Sequence, residues 1–192
     1  LQLQSRGHVL RGGAREAQFA PFHAWAWERE PALRQALGTE RLLYGEWCFA
    51  KNRAFYDALP DWFLGFDILD MTSGTFLPTL ARDALMRAAD VLPVPRLWSG
   101  AYGKAGAFAS HLGPSKLKTP RWREALLAEA SRARVRDILS ETDDSDWMEG
   151  VYIRVETETQ VVARVKLHRE GFEKVRDGWG EHALVRNALR RM

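Results

Sequence analysis

The chain has 192 residues, 46% hydrophobic and 28% charged, a balance that belongs to a folded globular protein and excludes a disordered one. That length suits one domain over 1–192 with a real core, and no apolar run approaches a membrane span. A net charge of +3 is compatible with a polyanionic partner, while the single Cys48 excludes an internal disulfide and a cysteine-based zinc site, so a reducing cytoplasm is the expected setting.

Leu1 to Arg6 alternates apolar and polar residues, as a half-buried strand does. Gly7 then turns the chain, and Arg6 ends the strand on its polar face, where a plain solvated arginine and a phosphate-binding one are both open readings. Arg11-Gly12-Gly13 reads as a loop. Phe19, Phe22 and Trp25-Ala26 recur at helical spacing, more suited to core than to base stacking. Pro31 to Leu37 predicts a short helix stopped by Gly38.

Two apolar runs follow, Leu42–Phe49 and Trp62–Leu69, each long enough for a buried strand. Between them lies a polar, aromatic-studded link with Lys51, Asn52, Arg53, Tyr56 and Pro60. Glu46 and Asp67 fall inside the strand-like runs. An acid there costs several kcal/mol unless it is paired, hydrogen-bonded or facing a polar cleft. Met71 to Thr75 predicts a turn, and Thr79 an N-cap for a helix Leu80–Ala89 burying Leu80, Ala84, Leu85 and Ala88. Val91 to Pro95 reads as a proline-punctuated connector, and Ser99 to Gly106 as a surface loop whose glycines match no phosphate-cradling spacing.

Thr119-Pro120 predicts the start of a helix reaching about Leu139. Trp122, Ala125, Leu126, Ala130 and Ala133 form its inner stripe. Arg121, Arg123, Arg132 and Arg136 lie outside, on a face that is either solvated or turned to RNA. After the acidic loop Glu141–Asp146, Val151–Val155 and Val161–Leu167 predict a hairpin joined through Glu156–Gln160. Alternation puts Arg164 and Lys166 on one face of its second strand, beside a first strand headed by Glu149. The segment Phe172–Met192 leans towards helix.

Several short strings in this order resemble the motifs of ATP-dependent RNA ligases, within the covalent nucleotidyltransferase superfamily: Ser5-Arg6-Gly7, Gly45-Glu46-Trp47, Phe66-Asp67-Ile68-Leu69-Asp70, Met148-Glu149-Gly150-Val151-Tyr152-Ile153-Arg154 and Arg164-Val165-Lys166. The resemblance runs from Leu3 to about Phe172. It implies an α+β fold in which antiparallel sheets form a nucleotide-binding cleft with helices packed outside, the ligase adenylyltransferase arrangement, ATP-grasp-like in its sheets. It implies a reaction in which a lysine takes AMP from ATP, AMP passes to the 5'-phosphate of a nicked or broken RNA, and a 3'-hydroxyl then displaces AMP. Each step is phosphoryl transfer, which depends on positioning and charge neutralisation.

On that resemblance Lys166 and Arg164 contact the α-phosphate, Glu46 holds the ribose or its surroundings, Phe66 stacks on adenine, and Arg6 binds the nucleotide or the RNA end. Glu149 offers oxygen to Mg2+ or Mn2+. Read without the resemblance, Phe66 is a core residue, and Glu46 and Glu149 are acids paired with Arg6, Arg164 or Lys166. Where the family commonly has lysine, Arg164 keeps the charge but cannot serve as a proton donor. The family's attacking lysine stands in K-x-D-G, usually before the motif at Ser5-Arg6-Gly7. No K-x-D-G occurs in these 192 residues, and Leu1 already stands within an alternating strand pattern, so we expect the lysine upstream. The alternative is a non-catalytic RNA- or nucleotide-binding relative. A DNA ligase or capping relative fits Gly45-Glu46-Trp47 and Phe66–Asp70 less well.

Overall fold

Two prolines set the first helices: Pro21 opens α1 (Ala20–Glu28) and Pro31 opens α2 (Glu30–Leu37), each within the first two helical positions, where a missing N–H costs nothing. Gly38 ends α2 at φ 61°, a conformation that suits glycine. The computed structural model describes residues 1–5, 7–13, 16, 19–101, 107–172 and 184–190. Among them the chain is α+β with mostly antiparallel strands, and it divides into two compact units. Among the described residues no helix is long and apolar enough to cross a membrane.

The first unit comprises Leu1–Trp47, Phe63–Pro93 and Thr157–Val161. The expected opening strand is shorter than its alternation suggests: β1 (Gln4–Ser5) pairs with β2 (His8–Val9) across the Gly7 turn. Arg6 lies outside the described residues. The two central apolar runs form the antiparallel pair β3 (Arg41–Trp47) and β4 (Phe63–Asp70). The short β5 (Thr75–Phe76) continues the sheet beside β4. After α3 (Thr79–Ala88), β6 (Leu92–Pro93) lies parallel to β4.

Phe22, Trp25 and Ala26 of α1 enter a core with Leu33, Leu37, Phe63, Ile68 and Met86. Trp25 lies 4.9 Å from Phe63, and Phe22 lies 4.9 Å from Trp47, ring centre to ring centre, the separation at which tilted aromatic pairs attract. The aromatic run around residue 20 is therefore core, as its spacing predicts. Trp27, outside that spacing, is exposed.

The inner face of α3 differs from the expected one. Leu80 is 83% exposed, Ala84 and Ala88 also face outward, and the buried residues are Arg82 and Met86. Leu85 alone of the expected set packs against the core. Thr79 is the first helical residue and the extended Pro78 is the N-cap. The reading by hydrophobicity failed because Arg82 has a carbonyl to bind, that of Phe66 at 2.8 Å, and a charge can be buried when it is paired and hydrogen-bonded.

The second unit comprises Cys48–Trp62, Val94–Glu156 and Val162–Met192. Its main helix, α4 (Trp122–Ala133), buries Trp122, Leu126 and Ala130 against Phe55, Ile138 and Val185. This is the predicted stripe, but both ends move inward. Thr119 is drawn to Asp57, whose carboxylate accepts from both its N–H and its hydroxyl, so Thr119-Pro120 precede the helix instead of starting it. The helix stops at Ala133 because Arg134 turns left-handed at φ 57° and Val135 N–H closes on the Ala130 carbonyl at 2.9 Å.

The link between β3 and β4 is less polar than its composition suggests, since Phe55 and Leu59 are fully buried, each contributing roughly 1.5–3 kcal/mol. The expected helical character of the C-terminal segment is absent from 184–190; residues 173–183 and 191–192 lie outside the described residues. Residues 184–190 bond instead along the link. Lys51 N–H donates to the Val185 carbonyl, Asn187 N–H to Phe49 and Ala188 N–H to Tyr56. Asn187, buried, donates its amide to the Cys48 and Ala50 carbonyls and accepts from Tyr56 N–H. Backbone groups satisfied between segments have no need of a helix.

Lys51 donates to the carbonyls of Asn52 and Glu141. Burial lowers its pKa from 10.5 to about 8, against the pull of Glu141 and with the help of Arg53. Between those two values the unfolded chain holds the proton and the folded chain does not, so stability from this site rises with pH across that window and is lowest below it. Urea unfolding of the protein and of Lys51→Met at pH 7.5 and 10 is expected to move the difference in favour of the wild type by about 1 kcal/mol at the higher pH, once solvent screening is allowed for. An unchanged difference would show that the amine titrates normally.

Candidate functional site

Glu46 and Phe66 lie on the paired strands of the first unit. Glu46 is exposed near the end of β3, opposite Leu64. Phe66 is half-buried on β4, where the pairing is irregular: Tyr44 faces Asp67 and the next residue, Gly45, faces Gly65. Phe66 is therefore the extra residue of a β-bulge, a device that bends a strand and re-aims a side chain. Two glycines allow the close packing there. A Cβ on Gly45 would strike the Phe63 ring, and one on Gly65 would come within 2.8 Å of Met86 Cε. Asp67, next in the chain, is fully buried.

Glu149, Arg164 and Lys166 belong to the second unit. Glu149 stands immediately before β7 (Gly150–Glu156), and the two cations lie on β8 (Val161–His168), whose first residue, Val161, belongs to the first unit and pairs with Phe76. The predicted hairpin is present, closed by Thr157 N–H on the Gln160 carbonyl at 2.8 Å. The start of β7 approaches the end of β8 closely. Arg169 N–H donates to the Glu149 carbonyl at 2.9 Å, and a Cβ on Gly150 would overlap the Leu167 carbonyl. Only glycine fits after Glu149. Arg164 and Lys166 are exposed and, by alternation, share one strand face.

The Glu149 side chain is half-buried and its Oε1 accepts a hydrogen bond from the Tyr56 hydroxyl. Lys118 belongs to the same surroundings: its amine donates to the Ser145 carbonyl at 2.6 Å and lies over the Trp122 ring at 4.3 Å. Burial lowers the Lys118 pKa, Asp143, Asp146 and Glu149 act to raise it, and Arg169 adds to the lowering. Arg169 is itself paired with Asp143. Glu149 thus sits in a field of both signs with one oxygen held by a phenol. Tyr56 and Lys118 are additions to the residues legible in the sequence. Tyr56 is separated from Glu149 by 93 positions, and no local pattern announces such a contact.

Of the expected site residues, Glu46 and Phe66 lie on the paired strands β3 and β4, and Glu149, Arg164 and Lys166 lie around the β7–β8 hairpin. A cavity of about 200 Å3 in the first unit, lined by residues including Leu3, Leu10, His23 and Trp27, contains none of them.

A family model described as RNA ligase matches residues 1–168. No curated protein and no solved structure matches the chain.

Proposed function

The chain belongs to the RNA ligase family, and from that premise we propose that it handles nucleotide and phosphate in ATP-dependent joining of RNA 3'-hydroxyl and 5'-phosphate ends. The observation that carries this reading is the extent of the family match. Residues 1–168 include every motif from Ser5-Arg6-Gly7 to Arg164-Val165-Lys166.

In this proposal Lys166 and Arg164 neutralise the α-phosphate, as two exposed cations on one strand face suit a polyanion. Phe66 stacks on adenine, Glu46 orients the ribose, and Arg6 contacts the nucleotide or the RNA end. Glu149 fits a hard divalent cation, Mg2+ or Mn2+, by the chemistry of its carboxylate and the restraint that Tyr56 places on it. The cation would supply further charge neutralisation at the transferring phosphate. Among the described residues no group of three His, Cys, Asp or Glu side chains converges; a cation shared between one carboxylate and substrate phosphates needs no such cage. A second reading is a relative that binds nucleotide or RNA without chemistry, and a K-x-D-G lysine is the feature that separates the two.

Phe66 offers the test. Phe66→Leu keeps most of the packing volume and removes the aromatic face, worth roughly 1–3 kcal/mol for a stacked base. ATP affinity, measured by calorimetry with Mg2+, is expected to fall about tenfold with the melting temperature nearly unchanged. Lost stability with unaltered affinity would make Phe66 a packing residue and remove it from the site.

A further inference from the structure

Arg82 is buried on α3, with a side chain 7% exposed, and its guanidinium is fully directed. Nη1 donates to the Phe66 carbonyl at 2.8 Å, while Nε and Nη2 donate to Asp83 Oδ1 at 2.9 and 2.7 Å. The carbonyl it chooses belongs to the bulged residue. On one edge of β4 the register with β3 skips Phe66; on the other, β5 pairs with Leu69 and Asp70 and β6 with Leu64 and Gly65. Phe66 thus falls between the residues paired on each edge, at the bulge where the strand bends.

We infer that Arg82, braced by Asp83, is a positioning residue that fixes the bulge at Phe66 and so sets the aim of the Phe66 ring towards the nucleotide base. This rests on the stacking role of Phe66 proposed above. A planar guanidinium suits the task because one edge can hold the carbonyl while the other is locked on a carboxylate. Held from α3, the bulged peptide cannot rotate without breaking a charge-assisted hydrogen bond in a buried setting. The ring is then preorganised before nucleotide arrives, and affinity gains by the ordering that binding no longer has to supply. Arg82 touches no substrate in this scheme. Its effect should therefore depend on the base and disappear when the ring is gone.

The experiment uses the 192-residue chain and two probes, ATP and inorganic tripolyphosphate, titrated by calorimetry with Mg2+, with thermal melting alongside. Arg82→Met is expected to weaken ATP about five- to tenfold and to leave tripolyphosphate unchanged. In a Phe66→Leu background the same substitution is expected to cost no further ATP affinity, the signature of two residues acting through one contact. Arg82→Lys, which keeps one donor, should recover part of the loss. Should Arg82→Met fail to fold, Arg82→Lys and Asp83→Asn are read in the same way, each expected to weaken ATP and not tripolyphosphate. Equal weakening of both probes, or an undiminished effect in the Phe66→Leu background, would overturn the inference in favour of a structural role. If Phe66→Leu weakens ATP and none of the Arg82 or Asp83 variants does, Arg82 alone is excluded. If Phe66→Leu itself leaves ATP affinity intact, the stacking reading falls and the role of Arg82 falls with it.

Discussion

Glu149→Ala and Lys166→Ala are each expected to slow RNA sealing by at least ~100-fold, the scale of about 2.7 kcal/mol of lost electrostatic stabilisation in a transition state. The motive is their setting. Glu149 heads β7 with its carboxylate held by Tyr56, and Lys166 is an exposed cation on the adjacent β8. A pre-adenylylated RNA strand with a 3'-hydroxyl acceptor makes the cleanest substrate, because that last step consumes no lysyl-AMP and isolates the phosphate chemistry. Single-turnover sealing, with circular dichroism to verify the fold, decides the matter. Near-wild-type sealing by either folded variant would take that residue out of the chemistry.

The 192-residue chain is expected to acquire no stable label when incubated with ATP labelled at the α-phosphate and a divalent metal. Covalent attack needs an amine in line with the departing pyrophosphate and neutral for part of the time. The family's lysine for that task stands in K-x-D-G, which these residues lack. Lys166 is assigned the opposite duty, remaining charged against the phosphate. Lys51 has a pKa lowered to about 8, but its amine is engaged by the Asn52 and Glu141 carbonyls. A denaturing gel followed by peptide mapping reads the result. A label on any lysine of this chain would reveal an unrecognised nucleophile. Labelling that arises only when a K-x-D-G segment is joined before Leu1 would separate the ligase from the non-catalytic alternative.

Much of this molecule was legible without coordinates, and the legible parts share a physical reason. The strands β3 and β4 follow from two short apolar runs, and β7, β8 and the stripe Trp122–Leu126–Ala130 from periodicity, because both signals are set by neighbours a few positions away. The places of Glu46 on β3, Phe66 on β4 and Glu149 immediately before β7 were readable for the same reason. What tertiary structure decided were matters in which residues far apart in sequence satisfy one another. Thr119 gives up the helix start to reach Asp57, and residues 184–190 bond along the link instead of coiling. Arg82 displaces Leu80 from the inner face of α3 because the bulged Phe66 presents a carbonyl there. Tyr56 finds Glu149 across 93 positions. Local pattern records where apolar surface goes, since the hydrophobic effect has no direction. Hydrogen bonds do have direction, and their partners are known only when the chain has folded.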